Sequence, residues 1–130
     1  MSSKADACPC GLPLTYELCC GPLHAGHRQA MTAEQVMRAR YSAFARDVEP
    51  FLAESWHSTT RPKAIRLDAA QTWTRLDVVA STGGGLLDQE GTVEFQAHHR
   101  RGDKAGVLHE VSRFVREDGR WVYVGPLDIR

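Results

Sequence analysis

All four cysteines of this 130-residue chain fall within thirteen positions, as Cys8-Pro9-Cys10 and Cys19-Cys20, in the pattern C-x-C-x8-C-C. Bridging Cys8 to Cys10, or Cys19 to Cys20, would need Cα separations and side-chain directions that disulfide geometry disfavours. Four thiolates gathered by one tight loop suit a tetrahedral Zn²⁺ instead, with bonds of about 2.3 Å. Gly11 and Pro13 favour the turn between the pairs, and Tyr16 and Leu18 are expected to cover the sulfurs. The reading is a closed knuckle with Cys8, Cys10, Cys19 and Cys20 holding one structural Zn²⁺ per chain, with no position left for a catalytic water. Three alternatives compete. Cross-paired disulfides allow three connectivities but require export, and Met1 to Ala7 contains no apolar run of the signal-peptide kind. A thioredoxin-type site needs C-x-x-C, which is absent. His24 or His27 could each replace one cysteine, although Gly21-Pro22 turns the chain away after Cys20.

The segment Cys8-Pro9-Cys10-Gly11, Tyr16, Cys19-Cys20-Gly21-Pro22 resembles the SEC-C motif, named for the tail of the translocase ATPase SecA, where a zinc knuckle contacts a partner protein. Further on, Arg40-Tyr41-Ser42-Ala43-Phe44, Trp56-His57 and Glu110-Val111-Ser112-Arg113-Phe114 resemble the YchJ-like bacterial proteins. That likeness runs from about Cys8 to Pro126. It implies a body similar to nuclear transport factor 2, a cystatin-like cone of helices on a curved antiparallel sheet. A second, C-terminal SEC-C motif, carried by many relatives, is missing before Arg130, so no role needing two knuckles is expected.

Sixteen basic residues balance sixteen acidic ones, so no global field attracts nucleic acid or anionic lipid. Hydrophobic content of 42% and charged content of 25% are those of an ordinary globular protein. No apolar stretch approaches the roughly 20 residues that span a bilayer. Reduced cysteines and the missing signal point to the cytoplasm. The organisation expected is a knuckle and linker over 1–30 and one α+β domain over 31–130, as a monomer or homodimer.

Within that domain, Thr32-Ala33-Glu34-Gln35 reads as a capping box opening a helix to about Arg46, with Val36, Met37, Arg40, Tyr41 and Phe44 on its apolar face. A second helix is expected over Glu49 to Trp56, with Pro50 in its first turn, and a short third over Asp68 to Gln71. From Trp73 the period becomes two. Strands are predicted over Trp73–Ser81, Gly91–Arg100, Gly106–Glu117 and Arg120–Pro126, with Asp118-Gly119 as a type I′ hairpin turn. Helices followed by a meander make a layered α+β fold.

Four residues are candidates for a pocket. His57, at the end of the second helix, is either an acid/base group at the cone's mouth or a cap on helix carbonyls. Glu110 and Ser112 share a strand face with Leu108 and Phe114. A carboxylate there is either a catalytic group with a raised pKa or is paired with Arg40 or Arg38 on the first helix. His98-His99-Arg100-Arg101 is a basic run read as a solvated turn flank. Two functions follow. The first is a noncatalytic zinc-bearing accessory protein whose knuckle docks on a protein partner, with an unknown small ligand in the cone. The second is a small isomerase, dehydratase or hydrolase, which requires His57 and Glu110 to converge in an apolar pocket.

Overall fold

The computed structural model describes residues 7–129. A 3-10 turn, Tyr16–Leu18, leads into the short helix α1 (Cys20–His24). The main helix α2 (Ala33–Arg46) and a six-residue helix α3 (Glu49–Glu54) follow. Four strands complete the chain: β1 (Gln71–Gly83), β2 (Glu90–Arg101), β3 (Lys104–Glu117) and β4 (Arg120–Ile129). They form one antiparallel meander in the order β1-β2-β3-β4. The architecture is the α+β layer expected from helices first and strands after.

α2 starts where the capping box places it. The Thr32 hydroxyl accepts from Gln35 N at 3.1 Å. The Gln35 side chain reaches back one residue further than the motif predicts, accepting from Met31 N at 2.6 Å. The helix stops at Asp47, in the left-handed region at φ 60°, with its N–H on the Ala43 carbonyl, a conformation that Asp tolerates better than most residues. Asp118 and Gly119 both have positive φ, 53° and 82°, as a type I′ turn requires. Gly84 is glycine for want of space: a Cβ there would lie 2.7 Å from that of Ala33, at the start of α2.

The expected third helix does not form. The Asp68 side chain accepts from Ala70 N at 2.9 Å while Gln71 N bonds the Asp68 carbonyl at 3.1 Å. This local turn competes with helix and delivers the chain straight into β1. β1 is longer than predicted, and each outer strand carries two register shifts. Thr74 and Val79 are extra residues on β1, and Val124 and Leu127 on β4. Bulges bend and twist the strand that carries them, so shifts at both edges curve the sheet around α2.

α2 is buried on two sides. Met37, Arg40, Tyr41 and Phe44, at helical spacing, look into the sheet. Arg38, Ala39, Ser42 and Arg46 contact the N-terminal segment. The core is therefore continuous from the cysteines, through α2, to Val93, Phe95, Phe114 and Trp121 on the strands.

Candidate metal centre and cavity

The four cysteine sulfurs lie within 4.8 Å of one another. All four thiols are free, and Cys10 Sγ lies 3.5 Å from Cys19 Sγ, far outside the roughly 2.05 Å of a disulfide. Cys8, Cys10 and Cys20 are buried and Cys19 is half-buried. The turn that gathers them is made by the backbone, with Cys8 N on the Leu14 carbonyl at 3.0 Å and Gly11 N on the Cys8 carbonyl at 3.3 Å. Gly21 lets the chain pass Tyr16, whose carbonyl would sit 2.7 Å from an added Cβ.

The loop is fixed to α2. Arg38 Nη1 donates to the Cys10 carbonyl at 2.7 Å, and Cys8 Sγ lies 3.9 Å from Ser42 Oγ. Arg46 stacks 3.7 Å above the Tyr16 ring. Crowding sets the electrostatics. Hydrogen bonds from Cys10 and Cys20 pull the Cys8 thiol far down, whereas burial pushes Cys19 up to about 12. Cys20 is pushed up strongly by its contact with Cys10. Ionisation of Cys19 and Cys20 is therefore disfavoured beside a neighbouring thiolate, a penalty that a bound cation would relieve. The donor set is that of a soft-ligand metal site.

Neither histidine joins it. His24 Nε2 lies 2.8 Å from the Ala39 carbonyl, so that nitrogen carries the proton and Nδ1 accepts from the Tyr16 hydroxyl at 2.6 Å. Burial lowers the His24 pKa, keeping the ring neutral. His27 is exposed. Leu18, expected over the sulfurs, is 67% exposed, and with Leu12 and Leu14 it forms an outward apolar rim on the loop.

On the other side of α2, a cavity of about 290 Å³ lies between the helix and the sheet. Three of the four pocket candidates line it: Arg40, Glu110 and Ser112. The register Phe95↔Glu110 and Val93↔Ser112 sets the last two on the concave face. The expected Arg40–Glu110 ion pair does not form. Arg40 Nη1 donates instead to the Leu52 carbonyl at 3.0 Å and to Ser55 Oγ at 2.9 Å, closing the end of α3. Its guanidinium lies between the rings of Trp56 and Tyr123, 4.7 and 4.5 Å from their centroids. Burial pulls its pKa down to about 10, which leaves it charged at neutral pH. Glu110 Oε2 accepts from Ser112 Oγ at 2.5 Å and from the Tyr123 hydroxyl at 3.0 Å. Burial first, then Glu110, raises the Tyr123 pKa, so its hydroxyl stays a donor.

His57 is outside the cavity. Its Nδ1 accepts from Thr59 N at 3.1 Å, and its Nε2 lies 3.7 Å from Glu117. Trp121 does not line the cavity; its Nε1 donates to the Met31 carbonyl at 3.2 Å near the start of α2. The wall residues missed from sequence are Trp73 and Tyr123. Tyr123 was within reach, because it shares a strand face with Trp121 two positions earlier. In the basic run, His98 pairs with Asp77 at 2.9 Å, and Arg101 bonds Asp68.

Residues 32–126 match the family model described as the middle, NTF2-like domain of YchJ. The chain belongs to the YchJ-like family. A UPF0225 protein of Bordetella parapertussis is 47% identical, covering 98% of this chain and 96% of its own length. One from Streptomyces avermitilis is 46% identical over 91% of this chain and 81% of its own. Among solved structures, a SEC-C motif containing protein from Rhodopseudomonas palustris superposes with a TM-score of 0.81 at 33% identity, covering 95% of this chain and 98% of that one. A SEC-C motif containing protein from Psychrobacter arcticus gives 0.75 at 28% identity, covering 92% and 81%. Each superposes over more than nine tenths of this chain. Among the described residues no helix is long and apolar enough to cross a membrane.

Proposed function

We propose that this YchJ-like protein is a noncatalytic, cytoplasmic binding module whose knuckle holds one structural zinc ion and docks on a protein partner. The observation that carries this reading is the tetrathiolate cluster, with four sulfurs inside 4.8 Å and three of the four cysteines buried. A tetrahedron with bonds of about 2.3 Å places its sulfurs roughly 3.8 Å apart, a spacing this cluster accommodates. Four thiolates fill the coordination sphere, so the ion contributes folding energy and no Lewis-acid chemistry. Docking is supported by the rim of Leu12, Leu14 and Leu18, which are 38%, 45% and 67% exposed. They ride on the loop that the four cysteines close. The noncatalytic reading is supported by the separation of His57 from Glu110, the pair that acid/base work in the cone needed.

Elemental analysis of the purified chain is expected to give about one zinc per molecule; a metal-free, folded protein would overturn the reading. For docking, a bacterial protein retained by the wild type should be lost with Leu18→Glu and with chelator. Retention indifferent to both would remove the knuckle from the interaction.

A further inference from the structure

The cavity is more than a packing gap. Its aromatic wall, formed by Tyr41, Phe44, Trp56, Trp73 and Phe95, encloses a volume at the lower end of the range for small-molecule sites. Its polar groups are few, fixed and incompletely used. Trp56 Nε1 is buried and has no hydrogen-bond partner, where a buried indole N–H normally finds one. Arg40, 6% exposed, spends Nη1 on Leu52 and Ser55 and leaves Nε and Nη2 without protein acceptors. Glu110, 7% exposed, receives both of its donors on Oε2 and leaves Oε1 open. The site thus offers unspent donors on one side and an unspent acceptor on the other.

We propose that this cavity binds a small, flat, net-neutral molecule with a carbonyl-type acceptor beside an N–H or O–H donor, an aromatic amide being the simplest form. The acceptor faces Arg40, the donor faces Glu110, and the apolar body lies against the aromatic wall. Charge selects neutrality. The cavity holds one cation and one anion that do not pair with each other, so an anionic or cationic ligand leaves one buried charge in excess. A purely apolar ligand leaves every free polar group unmet. The inference rests on the cavity alone, and its failure would leave the metal centre untouched.

The test titrates the full zinc-loaded chain with benzamide, benzoate, benzamidinium and toluene while following the three indole N–H resonances by ¹H–¹⁵N NMR. Benzamide should shift Trp56 and Trp73, leave Trp121 still, and bind about tenfold or more tightly than each of the other three. Glu110→Gln should strengthen benzoate by about tenfold without changing toluene. Trp56→Phe trims the wall that both ligands share, so it should weaken benzamide and toluene alike. Four results would each overturn the proposal: toluene equal to benzamide, benzoate or benzamidinium binding best, Trp121 responding in place of Trp56, or no Trp56 shift with benzamide to about 10 mM.

Discussion

The two sides of α2 solve opposite problems with one helix. Toward the cysteine loop it presents Ala39 and Ser42, both fully buried, and each polar group there is spent. The Ala39 carbonyl receives His24, Ser42 faces Cys8, and Arg38 holds the Cys10 carbonyl. Toward the sheet it presents Met37, Arg40, Tyr41 and Phe44, large side chains that nevertheless leave about 290 Å³ between them. Small residues bring a loop close enough for a metal to cement it. Large residues on a sheet curved by bulges hold a wall apart. One helix is thus anchored along its back by the cysteine loop and faces a cavity along its front.

The sharpest way to break this contrast is to remove the cement. Cys20→Ser is expected to abolish metal retention and to lower the melting temperature of the whole domain by about 10 °C or more, a loss of roughly 3 kcal/mol. Cys20 belongs to the continuous core, so calorimetry should show one transition moving. A knuckle that melts alone, ahead of an unshifted sheet, would separate the two sides energetically. Next in size comes a packing comparison. Ala39→Leu should cost about 1–3 kcal/mol by overpacking the tight side, whereas Phe44→Leu on the open side should cost less than about 1.5 kcal/mol in urea unfolding. Equal costs would mean that both sides are packed alike.

Acid should weaken the knuckle side selectively. His24 is held neutral by burial, with its folded pKa below the ordinary 6.5. Its contribution is therefore present above pH 6.5 and is lost as pH falls from there through the folded value. Wild type should lose stability relative to His24→Gln over that window, and parallel pH profiles would refute the buried, neutral ring. The smallest effect expected is that of His57→Ala. Its ring makes polar contacts with Thr59 and Glu117 at the surface, so the melting temperature should move by no more than the equivalent of about 0.5–1 kcal/mol.

What the sequence disclosed followed how local the cause was. The convergence of the cysteine pairs, the Thr32 cap and the Asp118-Gly119 turn are short-range devices, and each is present in the fold. Alternation placed Val93, Phe95 and Ala97 inward, and all three are buried. Non-local competition hid the remainder. Arg40 and Glu110 were correctly drawn to one cavity but found other partners, because Leu52 and Ser55 at the end of α3 and Tyr123 on β4 lie nearer. No periodicity reveals that choice. Asp68 was read as a helix start, when its own carboxylate offers the backbone a turn. Leu18 was taken for a lid because it is apolar, while the metal-site loop needs none there.

One small contact carries a consequence for how this chain behaves among copies of itself. Tyr123 N bonds the Ser55 carbonyl and His57 N bonds the Tyr123 carbonyl, each at 2.8 Å, so a stretch leaving α3 runs alongside β4 as a brief parallel ladder. An outermost strand otherwise shows a row of unmet amides that a neighbouring chain can zip onto. Here the molecule occupies that row itself at the residue whose ring closes the cavity, so a would-be intruder strand must first dislodge the protein's own turn.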